Sequence, residues 1–303
     1  MAVSKTNFQS FLEEEVNKVK GIYYPVRAGF LRRVFIKHAP CRKLHPNPED
    51  EFCFPEIGPN YEIISRYERA FRDGIQHCAG RQDSGASEPL MVQKAKPDGY
   101  LILNGHHRWA AALRVGLKEL KIKTVNLTQV ADIRKMLQHS RSDRRVTLDL
   151  DEVVFCEDSV VPAEAPLRFP LNRFYPERIR KGVPALLHYF NEHDYDVWVY
   201  TSRLCSMEYI KYLFKRRGVR LTGVLTGSGR TAASRADELQ EITDLLNTKY
   251  ASTIHIDNSM LLRTFSGSKE CDVYALSGSP ETWSREALDA FEKMCRKDAA
   301  SRK

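Results

Sequence analysis

The second half of the chain alternates apolar stretches of strand length with amphipathic stretches of helix length, and this alternation constrains the fold most. A regular exchange of strand and helix favours a parallel sheet with helices on its faces. We therefore predict an α/β domain over residues 146–303. Its predicted strands are 146–150, 197–200, 223–225, 253–256 and 273–276, and its predicted helices are 183–192, 206–217, 237–247 and a last one from Ser284.

The first half lacks this regularity and predicts a separate α+β domain. A short apolar strand at 100–103 turns through Gly105 into a helix over 106–115, which Gly116 closes, and a strand returns at 120–125. The predicted domains are a helical extension at 1–34, a domain at 35–137, a polar linker at 138–145 and the α/β domain at 146–303. Further predictions are helices at 7–20 and 63–75, an irregular proline-rich stretch at 39–59 and a surface loop at 80–87.

Composition limits the class of protein. The chain has 303 residues, 42% of them hydrophobic and 28% charged, as expected for a soluble two-domain protein. Its seven cysteines are scattered and never spaced CxxC, which argues against a disulfide framework and favours a reduced compartment. No apolar run approaches about 18 residues and no targeting segment is evident, so we predict a cytoplasmic protein without a membrane partner. The net charge of +8 favours anionic partners: nucleotides, phosphorylated substrates or nucleic acid. Composition leaves the oligomeric state open.

Three predicted strand ends carry polar groups suited to phosphoryl transfer. In an α/β sheet the carboxyl ends of the strands form the ligand site. Asp149 and Asp151 follow the first strand, Thr201 and Ser202 the second, and Asp257 the fourth. Neighbouring carboxylates repel each other, and Mg²⁺, which prefers carboxylate oxygens and water, relieves that repulsion. We predict a magnesium site formed by Asp149, Asp151 and Asp257, in which Thr201 donates a hydrogen bond to a phosphoryl oxygen.

These motifs resemble those of the haloacid dehalogenase (HAD) superfamily of phosphatases over about residues 145–276. Residues 147–154, Thr-Leu-Asp-Leu-Asp-Glu-Val-Val, are similar to its first motif, and 197–201 and 254–257 are similar to its second and fourth. The resemblance implies a Rossmannoid parallel sheet with little or no cap. It also implies that Asp149 is the nucleophile, Asp151 the general acid and base, and that Asp149 and Asp257 bind magnesium.

Two positions depart from the superfamily pattern. Asn258 follows Asp257 where a second acid is usual, and the stretch 227–237, where a lysine is expected, contains only Arg230 and Arg235 as cations. An arginine keeps the positive charge and binds phosphate through two parallel hydrogen bonds, so we take Arg235 as the candidate cation.

The turn from Asn104 through Gly105 into the helix at 106–115 is a second candidate site. Unpaired N–H groups at a helix start favour an anion. Arg108, His106 and His107 add side-chain donors to the same place. On the residues alone, a well-capped helix with an exposed arginine and a packing histidine is an equally good interpretation.

This segment resembles the ParB/sulfiredoxin superfamily over about residues 35–126. Gly105-His106-His107-Arg108 is similar to its nucleotide-binding motif, and the stretch Ser87 to Val92, with Glu88, lies at the matching distance upstream. The resemblance implies that Glu88, Gly105, His106, His107 and Arg108 bind a nucleotide or phosphate. Among its branches the free-serine kinases have the most similar Gly-His-His-Arg form, and there Glu56 or Glu62 could activate the hydroxyl.

Three functions follow from these sites. The first is a Mg²⁺-dependent phosphohydrolase that acts through an aspartyl-phosphate and carries a nucleotide- or phosphate-binding domain. The second is a small-molecule, serine-type kinase in the first domain with a regulatory HAD-like domain. The third is a non-catalytic protein that binds nucleotide or nucleic acid.

Overall fold

The chain divides into two compact units between Asn126 and Leu127. The computed structural model describes residues 5–76, 87–157, 160–228, 236–277 and 279–301. The surface loop predicted at 80–87 lies outside these ranges except for Ser87. In the part of the chain that the structure describes, no helix combines the length and apolarity needed to cross a membrane.

The first unit is a mixed α/β unit with one six-stranded sheet. Its strands run in the order β2-β6-β4-β5-β3, and β1 pairs with β4 beside this path. Its elements are α1 (Lys5–Val19), β1 (Tyr24–Pro25), α2 (Phe30–Val34), β2 (Lys37–Pro40), β3 (Leu44–His45), α3 (Tyr61–Gln76), β4 (Leu90–Lys96), β5 (Tyr100–Asn104), α4 (His106–Val115) and β6 (Glu119–Thr124).

The core of this unit forms where α4 packs on the sheet. Trp109 and Ala110–Ala112 of α4 are almost completely buried, together with Val92 of β4 and Ile102 of β5. A row of alanines adds little side-chain bulk, which lets a helix approach a sheet closely. The strand, turn and helix predicted at 100–116 are confirmed, since β5 ends at Asn104 and Gly116 ends α4 with a positive φ of 78°.

The second unit is also α/β and contains the other six-stranded sheet. Its elements are α5 (Val130–Gln138), β7 (Arg144–Asp149), α6 (Leu171–Phe174), α7 (Val183–Glu192), β8 (Asp196–Thr201), α8 (Met207–Lys215), β9 (Gly223–Thr226), α9 (Ala236–Lys249), β10 (Ser252–Ile256), β11 (Met260–Phe265), β12 (Cys271–Ala275) and α10 (Trp283–Ser301).

The sheet of the second unit has the order β12-β11-β10-β7-β8-β9. Strands β10, β7, β8 and β9 are parallel, whereas β11 and β12 are antiparallel additions beside β10. The prediction that 273–276 continues the parallel sheet is therefore wrong. Residues 257–259 alone separate β10 from β11, and a parallel connection needs a dozen residues or more.

The division of the chain differs from the linker predicted at 138–145. Ile133 and Met136 of α5 are buried in the core of the second unit, and β7 begins at Arg144. Polar composition marked this stretch as a linker, but it contains the end of one packed helix and the start of the central strand.

Thr128, just before α5, covers the outer edge of β9. Its hydroxyl donates to Val224 O at 2.9 Å and accepts from Thr226 N at 3.1 Å. Its own N–H donates to Thr226 Oγ1 at 3.1 Å. Among the described residues β9 is the last strand at this end of the sheet, and Thr128 pairs with main-chain groups on its outer edge.

Candidate functional site

Three predicted site residues lie at adjoining strand ends. Leu148 of β7 pairs with Ile256 of β10 and with Val199 of β8, so the next residues, Asp149 and Asp257, leave neighbouring strands side by side. Asp149 pairs directly with Tyr200 of β8. The chain runs from β7 to β8 and β9 on one side and returns to β10 on the other, so this edge is a topological switch point, where α/β sheets bind ligands.

Asp149 caps a single π-helical turn, Leu150–Val154. Its Oδ1 accepts hydrogen bonds from the N–H groups of Asp151 at 2.6 Å and Glu152 at 3.0 Å. Single π-helical turns are rare in proteins overall, and those that occur often lie at functional sites. This turn directs the chain away from the strand and fixes the carboxylate of Asp149 at its start.

Asp151 is held by the residues that follow β8. Both of its oxygens lie 2.9 Å from the Thr201 hydroxyl, and Oδ2 accepts from Ser202 N and Ser202 Oγ, each at 2.7 Å. The prediction that Asp151 and Thr201 share one site therefore agrees with the geometry. Thr201 is completely buried and directs its hydroxyl at Asp151.

Arg203 supplies a cation that the sequence motifs did not reveal. Its Nε lies 2.8 Å from Asp151 Oδ1 and its Nη2 lies 2.7 Å from Glu157 Oε1. The guanidinium also lies over the Phe155 ring, 5.1 Å from its centroid. Arg203 is placed to offset the negative charge of Asp151 at this edge of the sheet.

The pKa of the Tyr200 hydroxyl is affected by burial and by the carboxylates around Asp149. Burial raises the pKa of its hydroxyl, and the nearby carboxylates of Asp149, Asp257 and Glu152 raise it further. The phenol is therefore a neutral hydrogen-bonding group at physiological pH. Of these three carboxylates, that of Asp149 belongs to the residue that pairs with Tyr200 across β7 and β8.

Asn258 stands where a second acid was expected, and the structure shows its contacts. Its Oδ1 accepts from Arg180 Nη1 at 2.7 Å and its Nδ2 donates to Glu152 O at 3.0 Å. Arg180 is buried and lies over the Trp283 ring, 4.7 Å from the centroid. The amide thus ties the turn after Asp149 to a buried arginine.

The predicted set of metal ligands needs correction. Within the described ranges, no three His, Cys, Asp or Glu side chains come close enough to hold a metal ion together. Asp151 accepts hydrogen bonds from Thr201 and Ser202 and forms an ion pair with Arg203. The other predicted cation, Arg235, lies outside the described residues.

The second candidate site begins at the turn between β5 and α4. Gly105 has a φ of 103°, a conformation that side-chain-bearing residues rarely adopt. A Cβ there would lie 3.0 Å from Leu90 Cγ and 3.2 Å from Arg108 Nη2. Glycine is thus required both for the turn and for the close approach of Arg108.

His106 and His107 bind the protein's own main chain. His106 is buried and its Nε2 accepts from Asn47 N at 3.2 Å, while His107 Nε2 accepts from Asn60 N at 3.1 Å. Both rings contact Phe52, with centroids 5.4 and 4.9 Å away. Burial lowers the pKa of His107, which favours the neutral ring that this contact needs. The two histidines therefore fasten the irregular stretch at 47–60 to α4 through atoms that we expected to face an anion.

Arg108 is buried rather than exposed. Its Nη1 donates to Glu88 O at 2.8 Å and lies 3.5 Å from Glu88 Oε2, while the Glu88 side chain is largely exposed. The structure thus brings Glu88, Gly105 and Arg108 together at the start of α4.

Comparison with known proteins bears on the first unit. The ParB N-terminal domain family matches residues 72–141. No curated protein matches the chain. Two solved structures of the C-terminally truncated chromosome-partitioning protein ParB from Caulobacter crescentus were also found. The complex with CTP-gamma-S is 25% identical, covers 36% of this chain and 54% of that chain, and has a TM-score of 0.24. The complex with the centromeric parS site is 23% identical, covers 35% and 50%, and has a TM-score of 0.22.

The chain therefore spans about half the length of the ParB chains that it matches. TM-scores this low carry no structural argument, so the assignment rests on the family match. That match includes β4, β5, α4 and β6 and continues through α5. The N-terminal part of the chain thus contains a ParB-like domain, which includes the turn at Gly105.

Proposed function

We propose that the second unit is a Mg²⁺-dependent phosphohydrolase of the HAD type, with Asp149 as its nucleophile. One observation carries the proposal: Asp149, Asp257 and the pair of Asp151 with Thr201 lie at adjoining carboxyl ends of parallel strands. Structural acids are scattered over a surface, whereas these acids meet at the switch point of the sheet.

Asp149 has one oxygen suited to attack. Among the described residues its hydrogen bonds end on Oδ1, so Oδ2 is the oxygen that would form the bond to phosphorus as the ester oxygen leaves. The two N–H donors to Oδ1 hold the carboxylate in one orientation, which lowers the entropic barrier to attack. The resulting aspartyl-phosphate would then be hydrolysed by water.

Asp151 would move the protons. Thr201, Ser202 and Arg203 fix its orientation, and a positioned carboxylic group contributes roughly 10²–10⁴-fold to such reactions. It would protonate the leaving oxygen in the first step and take a proton from water in the second. Arg203 would offset the charge of the phosphoryl group, the task first assigned to Arg235.

The donor set near Asp149 fits magnesium without the third carboxylate. Mg²⁺ is usually held by one or two carboxylates and keeps several waters and substrate phosphate oxygens. Asp149 and Asp257 would supply the two carboxylates, since they follow the paired residues Leu148 and Ile256 on neighbouring strands. When bound, the ion would neutralise the phosphoryl oxygens.

Phosphate release with and without Mg²⁺ tests the proposal. A panel of nucleotides, sugar phosphates, phosphoserine and end-phosphorylated oligonucleotides would serve as substrates. We expect Asp149→Asn to lower turnover by about 10³-fold or more, because an amide cannot form the phosphoenzyme. Asp289→Asn, an exposed aspartate on α10, is the matched control and should leave turnover unchanged. Full turnover in Asp149→Asn would contradict the proposal.

We propose a second, separable property: nucleotide binding by the ParB-like domain at the start of α4. The family match includes Glu88, Gly105 and Arg108, which the structure brings together. Unpaired N–H groups at a helix start favour phosphate.

Calorimetric titration with nucleotides, CTP included because a ParB was crystallised with CTP-gamma-S, tests this property. Arg108→Lys should weaken binding by about tenfold, since lysine keeps the charge but not the two-pronged geometry. Arg69→Ala, which changes an exposed residue of α3, should bind normally. Turnover that requires Arg108 and a small hydroxyl acceptor would instead place a kinase in this unit.

A further inference from the structure

The segment 165–176 of the second unit exposes two phenylalanine rings. Phe169 is 72% exposed and Phe174 is 50% exposed. The segment itself is anchored, because Arg217 Nη1 donates to Ala165 O at 2.6 Å and the Tyr175 ring stacks on Tyr209 with centroids 4.9 Å apart. Both rings are thus accessible to solvent on a segment that is anchored to the rest of the unit.

Arginines accompany these rings. The Arg173 guanidinium lies 5.2 Å from the centroid of the Phe169 ring, and Arg168 and Arg173 are both exposed. Residues 165–176 contain no acid, so the segment is a local source of positive charge.

Helix α8 extends this surface. Tyr209 faces the segment through Tyr175, and residues three and seven positions later share its face of the helix. Those residues are Tyr212, which is 46% exposed, and Arg216, which is also exposed. We call Phe169, Phe174, Tyr212, Arg168, Arg173 and Arg216 the aromatic–arginine surface.

We propose that the aromatic–arginine surface binds single-stranded nucleic acid. Proteins bind single strands by stacking bases on aromatic rings while cations follow the phosphates, and arginine adds cation–π contacts. The surface offers three rings and three guanidinium groups, within a chain whose net charge is +8. An acidic peptide would pair with the arginines but offers few flat groups to stack on the three rings. A small anion would likewise use the arginines and leave the rings without a partner.

Two other polyanions fit the surface less well. A duplex hides its base faces and is read by a helix or ribbon that enters a groove, yet the segment's own helix, α6, has only four residues. An anionic membrane is bound by a longer amphipathic helix lying in the interface, which a four-residue helix cannot provide.

Binding to the aromatic–arginine surface does not depend on the proposed hydrolysis at Asp149. Asp149→Asn should therefore bind oligonucleotides as the wild type does, so the two proposals can fail separately.

Fluorescence anisotropy of the full chain with a labelled oligothymidylate of about 16 nucleotides, near the upper end of known site sizes, tests the proposal. Phe169→Ala/Phe174→Ala should weaken binding by at least about tenfold, since each lost stacking contact costs roughly that much. Arg168→Ala/Arg173→Ala should weaken binding and make it less dependent on salt, because fewer counterions are released. A duplex of the same length should compete poorly.

Matched controls make the result decisive. Phe30→Ala removes a ring that is 57% exposed in the first unit and should bind normally, as should Arg285→Ala/Arg296→Ala on α10. No binding by the wild type would overturn the proposal. Equal losses from both arginine pairs, with no loss from the phenylalanine pair, would also overturn it. Anionic vesicles that bind through the two phenylalanines while oligonucleotides do not would assign the surface to membranes instead.

Discussion

Imidazole rings act as buried or half-buried polar partners in both units. In the first unit, His106 and His107 each accept a main-chain hydrogen bond through Nε2. In the second, His255 Nδ1 lies 2.8 Å from the Thr147 hydroxyl, on the sheet face that also carries Asp149 and Asp257. Burial lowers the pKa of His255 to about 4, and the positive charge of Arg145 contributes. Burial favours the neutral form of the His107 and His255 rings.

We predict that His255 makes the fold sensitive to mild acid. Its pKa of about 4 in the folded state lies below the ordinary 6.5, so the unfolded chain takes up the proton first. This contribution to stability is fully present above about pH 6.5 and is lost as the pH falls towards 4, by about 3 kcal/mol. Urea unfolding at several pH values would measure this loss. In His255→Gln the decline should be smaller by that amount, and an equal decline in both proteins would contradict the prediction.

At the scale of the elements, the pairing of β8 with β9 depends on one glycine. Gly223 pairs with Trp198, which is buried and donates from Nε1 to the Tyr250 hydroxyl at 2.8 Å. A Cβ at Gly223 would lie 2.1 Å from the Trp198 ring. The indole therefore occupies the space that a side chain at position 223 would fill.

Gly223→Ala should lower the free energy of unfolding by about 1–3 kcal/mol, the usual cost of an overpacked core. Denaturant melts of the purified protein would show it as a lower midpoint. Gly29→Ala is the control, because a Cβ there meets nothing within 4 Å, and its midpoint should stay the same. A neutral Gly223→Ala would mean that Trp198 repacks freely.

The elements that the sequence predicted are those with a strong period or a distinct end. The helix 106–115 between Gly105 and Gly116 and the strands before Asp149 and Thr201 are of this kind. β11 was missed because it follows β10 after a short turn, and no element was predicted between the strands at 253–256 and 273–276. α5 was missed because its polar end looked like a linker.

The site residues at strand ends could be predicted from the sequence. The contacts that depend on side-chain rotamers could not. Asp149, Thr201 and Asp257 follow from the strand pattern alone. The contact of Arg203 with Asp151 does not, since nothing in the sequence shows which way a side chain turns after a strand. The inward turn of His106 and His107 was equally hidden, because a histidine at a helix start suits an anion and a main-chain N–H alike.

On the scale of the whole molecule, the chain consists of two units with separate cores. One core is built around Trp109 of α4 and the other around the parallel strands and Trp283. The division after Asn126 assigns α5 to the second core.

We predict that the fragment 127–303 folds cooperatively and that the fragment 139–303 is less stable. The shorter fragment lacks Ile133 and Met136, and burying two such side chains contributes about 3–6 kcal/mol. Circular dichroism during thermal unfolding of both fragments would measure the difference. Equal melting temperatures would instead support the linker predicted at 138–145.

Thr128 has a consequence for how the protein behaves at high concentration. Without its contacts to Val224 and Thr226, β9 would end the sheet with open N–H and C=O groups. Such an edge can recruit a strand from another molecule and begin aggregation. By bonding to this edge, Thr128 is expected to hinder the pairing of β9 with a strand of another molecule.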